Sequence, residues 1–474
     1  NPLVGPIPGL RNYWSACAVM AGFSQGGGVG LMLAQWMVEG ETERDTSAMD
    51  CSRFGRWINA DYTEKKVIEN YQRRFSVSYP NEELPAARPC ITSPMYKTFS
   101  SMGAVWGQQN GLEVVNYFSN PSESPLEVPS FRRSNAFLPT GREVRAVRES
   151  VGINELHNFG KFKISGSNSR DWLNMIMAGT IPKPNRLSLN PMLSPKGRII
   201  GDFTVTCIND EEFQLTASYG SQEYHLRWFL LNQKDGVNIE NISDKLNGFQ
   251  IAGPHSRTLL QKVTEFPLES FKFRDAHIIL VGSISCLVQR VSYTGDLGFE
   301  IYCSPSEQFD LWEVLWSAGA EFDMKPFGMR AMMSLRLDKF FGSWLSEFSP
   351  DYTPAETGLD KFINFKKDYE FIGRHASYFE HINGTERQLC VFEVEADDAD
   401  VVGYEPISLR DKVVGFCTSG GFSHHTGKSI AFGFLPTSEI NDNTEVQIEI
   451  MGRQKPAKIL TTPIFDTDNS RMRN

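Results

Sequence analysis

Apolar and polar positions alternate most cleanly between Ser194 and Ile208, in Ser-Pro-Lys-Gly-Arg-Ile-Ile-Gly-Asp-Phe-Thr-Val-Thr-Cys-Ile. Ser-Pro and Lys-Gly are turn chemistry, and the run after them has the period of two of a half-buried strand. Phe203, Val205 and Cys207 fall on one face; Asp202, Thr204 and Thr206 fall on the other. Asn209 to Glu212 predicts a hairpin turn, after which Phe213 and Leu215 resume the alternation. Asp202 therefore stands near the start of a strand, facing away from its apolar side. Such an aspartate is either a solvated edge carboxylate or a general base turned into a cavity.

The same periodicities organise the rest of the chain. Gly22-Phe-Ser-Gln-Gly-Gly-Gly-Val-Gly30 predicts a glycine-rich turn feeding a helix, Leu31 to Val38, that stops at Gly40. In such a turn Gly26, Gly27 and Gly28 would let backbone N–H groups approach an anionic group, although the run is not G-x-G-x-x-G. Thr46 to Phe118 reads as polar helices and loops, anchored by Trp57, Tyr62, Tyr71 and Phe75, and residues 120–129 form a proline-rich connector. From Glu143 the texture is α+β. Lys161 to Ser165 alternates, and Ser167 or Asn168 caps a helix through Trp172, Leu173 and Ile176. Phe249 to Pro254 is a short strand into a turn. Ile284 to Tyr302 predicts a hairpin across Thr294–Gly298, with Phe299 and Ile301 on one face of its second strand and Glu300 and Tyr302 on the other. Ser304-Pro-Ser-Glu307 has the form of a capping box, opening a helix whose Phe309, Trp312, Leu315 and Trp316 are core positions. Arg330 to Phe340 is a further helix, on which Arg336 is expected to serve as a structural ion-pair partner. After Asn383–Glu386, about five short strands separated by Gly, Asp and Asn make a small β-rich unit reaching Pro463.

With 474 residues, 41% apolar and 22% charged, the chain is long enough for two to four folded domains. Forty-seven basic against 57 acidic residues give a net charge of −10, which argues against a nucleic-acid binder. Eight cysteines form no C-x-x-C, and Cys207, Cys286 and Cys303 sit in apolar runs. This is the usage of a reducing compartment: the cytoplasm, or the mitochondrial matrix if the source is eukaryotic. His424-His425 is the only histidine pair, in a Gly/Ser-rich turn, and reads as structural, so no metal site is expected. Trp14 to Met37 is interrupted by polar residues and glycines and does not read as a membrane span. The first residue is not Met, which leads to the expectation that the chain starts within a longer protein.

Four stretches in order carry a resemblance: Lys196-Gly-Arg-Ile-Ile-Gly-Asp-Phe-Thr-Val205, Tyr293-Thr-Gly-Asp-Leu-Gly-Phe-Glu-Ile-Tyr302, Phe327-Gly-Met-Arg330 through Lys339, and Val414-Gly-Phe-Cys-Thr-Ser-Gly-Gly through Phe432. Together they resemble the folate-binding aminomethyltransferase fold of the glycine-cleavage T-protein. Asn12-Tyr-Trp with the glycine run, Thr92-Ser-Pro-Met-Tyr96, and Phe341-Gly-Ser-Trp through Asp360 narrow the match. They look like the carboxyl-terminal part of the dimethylglycine/sarcosine dehydrogenase family, with only the last piece of its FAD domain.

The resemblance implies an α+β fold with a C-terminal β-barrel. The expected division is an FAD-domain remnant (1–50), a connecting domain (51–128), a folate-binding aminomethyltransferase-like domain (129–380) and the barrel (385–470). It implies that Asp202 is the catalytic base beside the folate amine, that Glu300 reads the pterin, and that Tyr293 and Arg330 line the same pocket. Gly26, Gly27 and Gly28 would be what remains of an FAD site, and FAD itself is expected only in a full-length protein. The implied partners are tetrahydrofolate and a one-carbon unit from a small N-methylamine, with neither nucleic acid nor membrane, and the product is methylenetetrahydrofolate. Against the family pattern, Asp296 stands for a glutamate, Ala331 for an aspartate after the arginine, and Gly201 for an acid before Asp202. The alternatives are a non-catalytic regulatory protein of the pyruvate dehydrogenase phosphatase regulatory subunit type, or a stand-alone folate-dependent demethylase or methyltransferase.

Overall fold

The computed structural model describes residues 2–55, 57–441 and 444–473. The strand read from the alternation runs from Ile199 to Asn209 and turns back into Glu212–Ser218 with Asn209 opposite Glu212. It belongs to a five-stranded antiparallel sheet, sheet I, in the order Asn238–Asn241, Phe159–Ser165, Glu212–Ser218, Ile199–Asn209, Arg186–Leu193. Phe162, Ile164, Phe203, Val205, Cys207, Phe213 and Leu215 pack from its apolar face onto the helices Ser169–Ile176 and Gln222–Leu231, through Trp172, Leu173, Ile176 and Phe229.

Sheet II has six strands, in the order Ala276–Val281, Ile284–Gln289, Gly298–Cys303, Asn247–Ala252, Gly152–Glu155, Lys325–Pro326; only the last pairs in parallel. Its apolar face packs Phe249, Ile251, Val288, Phe299 and Ile301 on Leu311, Trp312 and Leu315 of the helix Gln308–Gly319. The expected Ser304–Glu307 capping box does not form. Pro305–Glu307 is a separate 3₁₀ turn, and Ser304 Oγ bonds Ser306 Oγ at 2.6 Å instead. The helix Gln308–Gly319 leaves Phe309 exposed rather than in the core. A true capping box stands at Thr353 and Glu356, where each residue's side chain accepts from the other's backbone N–H.

The edges of the two sheets meet. Arg186 bridges Asp275, Leu187 N–H donates to Arg274 O at 2.9 Å, and Ala276 N–H donates to Asn185 O at 2.9 Å. The β-rich unit is a closed six-stranded barrel formed from strands between Arg387 and Leu460. The helix Met329–Asp338 joins it to the sheets. Its Arg336, fully buried as is Glu347, bonds Glu347 at 2.9 Å and Ser419 Oγ of the barrel at 2.7 Å, the structural role expected of it. His424 packs between Phe137 and Phe422, and His425 packs against Phe465. All eight cysteines are free thiols.

The N-terminal part departs from expectation. A helix spans Gly22–Glu39, so Gly26, Gly27 and Gly28 lie inside it and not in a turn. The first turn already closes through Ser24 and Gln25 N–H on the Ala21 carbonyl, with Ser24 Oγ adding a bond to the same oxygen. Glycine lowers helix propensity but does not forbid the helix, and Trp36 secures the far end by packing on Trp14 and over Gly5. Gly40, left-handed, ends it as expected. Trp57 and Tyr62 stack edge to face at 4.8 Å, but Tyr71 and Phe75 are exposed and are not core anchors. A hairpin, Ala104–Gln109 with Leu112–Phe118, occupies part of the stretch read as helices and loops.

Residues 39–50 are fastened to the body at several points. Asp50, buried, pairs with Arg227 at 2.6 and 2.8 Å; Asp45 N–H donates to Asp351 at 2.7 Å; Lys196 meets Glu39 at 2.6 Å; and Arg198 donates to Glu43 O. Among the described residues no helix is long and apolar enough to cross a membrane.

Candidate functional site

Alternation gives each sheet a second face, and on both it gathers polar side chains. Sheet I presents Lys161, Asp202, Thr204, Thr206 and Thr216 away from its core; sheet II presents Gln250, Gln289, Glu300 and Tyr302. Polar faces of strands are ordinarily solvated, yet Lys161, Thr206, Gln250, Gln289 and Tyr302 are all buried. They are buried because the two polar faces confront one another. Tyr302 OH donates to Glu300 Oε2 at 2.8 Å and also lies within hydrogen-bonding reach of Thr216 of sheet I. Lys161 of sheet I feels the charges of Glu155 and Glu300 of sheet II.

These contacts connect the two expected carboxylates. Asp202 is two residues along its strand from Thr204, about 7 Å away on the same face; Thr204 is paired with Thr216, and Thr216 meets the Tyr302 that holds Glu300. Asp202 and Glu300 therefore look into one polar layer from opposite walls. Both are half-buried, and burial pushes the carboxyl of Asp202 up to about 6 and that of Glu300 up to about 7. The Tyr302 hydroxyl and the Lys161 charge act on Glu300 in the opposite direction. Burial likewise lowers Lys161, to about 7, against the pull of Glu155, Glu300 and Asp244.

Tyr293, in the loop before the Glu300 strand, is close enough for its ionisation to feel Asp202. Its hydroxyl donates to Gly342 O at 2.6 Å and its ring stacks on Phe341, so it presents a ring wall, not a free proton donor. Arg330 stands apart from this set: its guanidinium bonds Glu127 at 2.9 Å and the Asn81 carbonyl at 3.4 Å. Gly26, Gly27 and Gly28 are on an exposed helix, where a Cβ would meet nothing within 4 Å. They build no cradle for a pyrophosphate, and the described residues do not fit a bound flavin there. A cavity of about 600 Å³ opens beside the barrel, lined by Arg44, Glu356, Arg387, Phe416 and Phe434 among others; no expected site residue lines it.

Sequence reasoning missed Lys161, Gln289, Thr216 and Tyr302 as members of the site. The available signal was the alternation itself, which put each of them on the face opposite a core residue.

The model of the GCVT N-terminal domain matches residues 95–367, more than half of the chain. The chain belongs to the glycine cleavage T-protein family. The family's C-terminal barrel domain matches residues 387–466, and the FAD dependent oxidoreductase central domain matches residues 39–93. This T-protein family chain is 37% identical over 478 residues to dimethylglycine dehydrogenase, mitochondrial, of Mus musculus, covering 100% of the chain and 55% of that protein. It is 24% identical over 491 residues to the mitochondrial pyruvate dehydrogenase phosphatase regulatory subunit of Mus musculus, covering 98% of the chain and 56% of that protein. The chain thus spans about half the length of these two relatives. The crystal structure of the glycine cleavage system aminomethyltransferase T from Bartonella henselae superposes with a TM-score of 0.69 at 19% identity, over 79% of this chain and 98% of that one, which shows the T-protein fold.

Proposed function

We propose that this chain is the folate-dependent one-carbon transfer part of a dimethylglycine- or sarcosine-type dehydrogenase. It would combine tetrahydrofolate with an iminium or formaldehyde-equivalent unit to give methylenetetrahydrofolate. The observation that carries this reading is the pair of half-buried carboxylates, Asp202 and Glu300, set on opposite walls of one polar layer.

The donor set fits the ligand. Glu300 offers two acceptor oxygens, and the amino-pyrimidine edge of a pterin offers two parallel N–H donors to a carboxylate. Tetrahydrofolate, when bound, supplies the nucleophilic amine that accepts the one-carbon unit. Glu300 fixes the ring, and Tyr302 fixes Glu300. The Tyr293 ring, locked by Gly342 and Phe341, walls the Asp202 end and holds the reactants together. Asp202 takes the proton lost by the amine as it attacks. A carboxyl held near 6 is ionised at neutral pH yet basic enough for that transfer, a contribution of roughly 10²- to 10⁴-fold. Arg330, engaged with Glu127, has the connector as its partner in this reading and takes no part in the transfer. No step here runs through a flavin. A cytoplasmic location, or the mitochondrial matrix if the source is eukaryotic, goes with this reading, and the mitochondrial naming of the Mus musculus relative supports the second.

Titration of the purified chain with tetrahydrofolate tests the assignment, with saturable binding expected; none at high micromolar ligand would sink it. Formaldehyde capture by Asp202→Ala should then fall well below that of the wild type. A regulatory reading, which the similarity to the phosphatase regulatory subunit supports, predicts no capture by either.

A further inference from the structure

Beside Glu300 stands a buried amide with nothing to bind. Gln289 is 0% exposed, and among the described residues neither its Nε2 nor its Oε1 has a hydrogen-bond partner. Strand register fixes its place. Gln289 lies directly opposite Glu300 on one side, and Gln250 lies opposite Glu300 on the other. Directly opposed residues project to the same face with Cβ atoms about 4.5–5.5 Å apart, so Gln289, Glu300 and Gln250 form one row across sheet II. Two members of the row are engaged: Gln250 Nε2 with Ser292 Oγ at 3.3 Å, and Glu300 with Tyr302. Beyond Gln289 the row continues as Ala276, whose side chain has no polar atom to meet the amide. Buried polar groups are nearly always paired, and one left with both its donor and its acceptor unpaired calls for an explanation. Beside a carboxylate already turned into the polar layer, the simplest is a ligand that brings the missing partners.

We propose that Gln289 is a specificity-determining residue that, with Glu300, reads the edge of a cyclic amide. Glu300 accepts the two N–H groups of a 2-amino-4-oxo ring, and Gln289 Nε2 donates to the ring carbonyl next to them. The inference rests on the folate-site reading above and adds a third recognition point to it. A 2,4-diamino ring has no proton on the ring nitrogen between its amino groups, so it offers Glu300 one N–H instead of two, and the wild-type site favours the 4-oxo ring. An ionised glutamate at 289 could only accept, and would meet the ring carbonyl with a second acceptor.

Two probes test this: tetrahydrofolate, which is 4-oxo, and a folate analogue with a 2,4-diamino ring. The wild type should prefer tetrahydrofolate. Gln289→Met should weaken tetrahydrofolate by roughly 10- to 100-fold, the usual penalty for removing one buried hydrogen-bonding group from a site built to make it, with thermal stability kept or raised. Gln289→Glu should weaken tetrahydrofolate and narrow its advantage over the diamino ligand, whose 4-amino group alone can donate to the new carboxylate. A measurement on the wild type alone guards against variants that fail to fold: a 4-thioxo analogue, which keeps both N–H groups for Glu300 but offers Gln289 the weaker acceptor sulfur, should bind less tightly than its 4-oxo parent. Unchanged affinity for tetrahydrofolate in folded Gln289→Met and Gln289→Glu, or equal binding of the thioxo analogue, overturns the role of Gln289 and leaves the folate reading standing. Failure of the wild type to bind any of the probes overturns both.

Discussion

Arg336 and Glu347 form a salt bridge at 2.9 Å with side chains 1% and 0% exposed. The pair does more than neutralise itself. Glu347 also accepts from Thr418 and Ser419 of the barrel and from the Ser343 N–H, and Arg336 donates to the Phe341 carbonyl. The segment it holds, Phe341–Ser343, is the one that grips Tyr293 beside Asp202. Removing one partner strands a buried charge, so Glu347→Ala or Arg336→Met should cost about 3–5 kcal/mol in denaturant unfolding. A loss below about 1 kcal/mol would show that the pair is not what joins barrel to sheets.

Asp202 should oppose stability where it serves chemistry. Its folded pKa, about 6, lies above the ordinary value of 3.8. Between those pH values the folded state holds a proton that the unfolded state has released, so stability falls as pH rises through that window and stays lower above it. Asp202→Asn should therefore gain on the order of 1–3 kcal/mol at pH 7 and little at pH 4, while one-carbon transfer drops by about 10²-fold or more. In the wild type, transfer should decline as pH falls below about 6. A pH-independent difference in melting temperature between the two proteins would contradict the placement of this carboxylate.

Lys161 is one of the groups that act on the charge of Glu300. Glu300 is raised by burial and pulled back by Tyr302 and Lys161, while Lys161 itself faces Glu155, Glu300 and Asp244. Lys161→Met removes the positive charge, so Glu300 should ionise at higher pH, and ligand binding that needs its carboxylate should shift to more alkaline pH. Affinity for tetrahydrofolate measured between pH 6 and 9 reads this directly; superimposable profiles would rule it out.

Gly248 protects the same strand. Its φ is +151°, and a Cβ there would lie 1.9 Å from the Ile301 carbonyl, against the strand that carries Glu300. Gly248→Ala must push the strands apart, at a cost of about 2 kcal/mol or more, and should weaken ligand binding as well as the fold. A variant with native stability and affinity would mean the strand pair accommodates the methyl group freely.

Much of this was legible in the sequence because strand alternation is a local property. The split between Phe203, Val205, Cys207 and Asp202, Thr204, Thr206, and that between Phe299, Ile301 and Glu300, Tyr302, follow from a period of two and from nothing else. What alternation cannot say is what a polar face meets. Lys161 and Gln289 have the pattern of solvated positions and became interior only because a second sheet covers the first, a relation between segments more than a hundred residues apart. Local signals also misled where two structures share one composition. The glycine run is as compatible with a loose helix as with a turn, and Trp36 packing decided for the helix. Ser304 and Glu307 have the capping-box spacing, yet the hydroxyl found Ser306 first. Arg330 sits on the motif that suggested it, and a glutamate from the proline-rich connector claims it.

The rivets between residues 39–50 and the body bear on how Asp202 experiences the N-terminal segment. Lys196 and Arg198 lie on the very turn that leads into the Asp202 strand, and Arg227 is on a helix packed beneath it. Segment and Asp202 strand are tied to the same body through these contacts. Loss of the Asp50–Arg227 pair should therefore register in the packing around the Asp202 strand as well as in the segment itself.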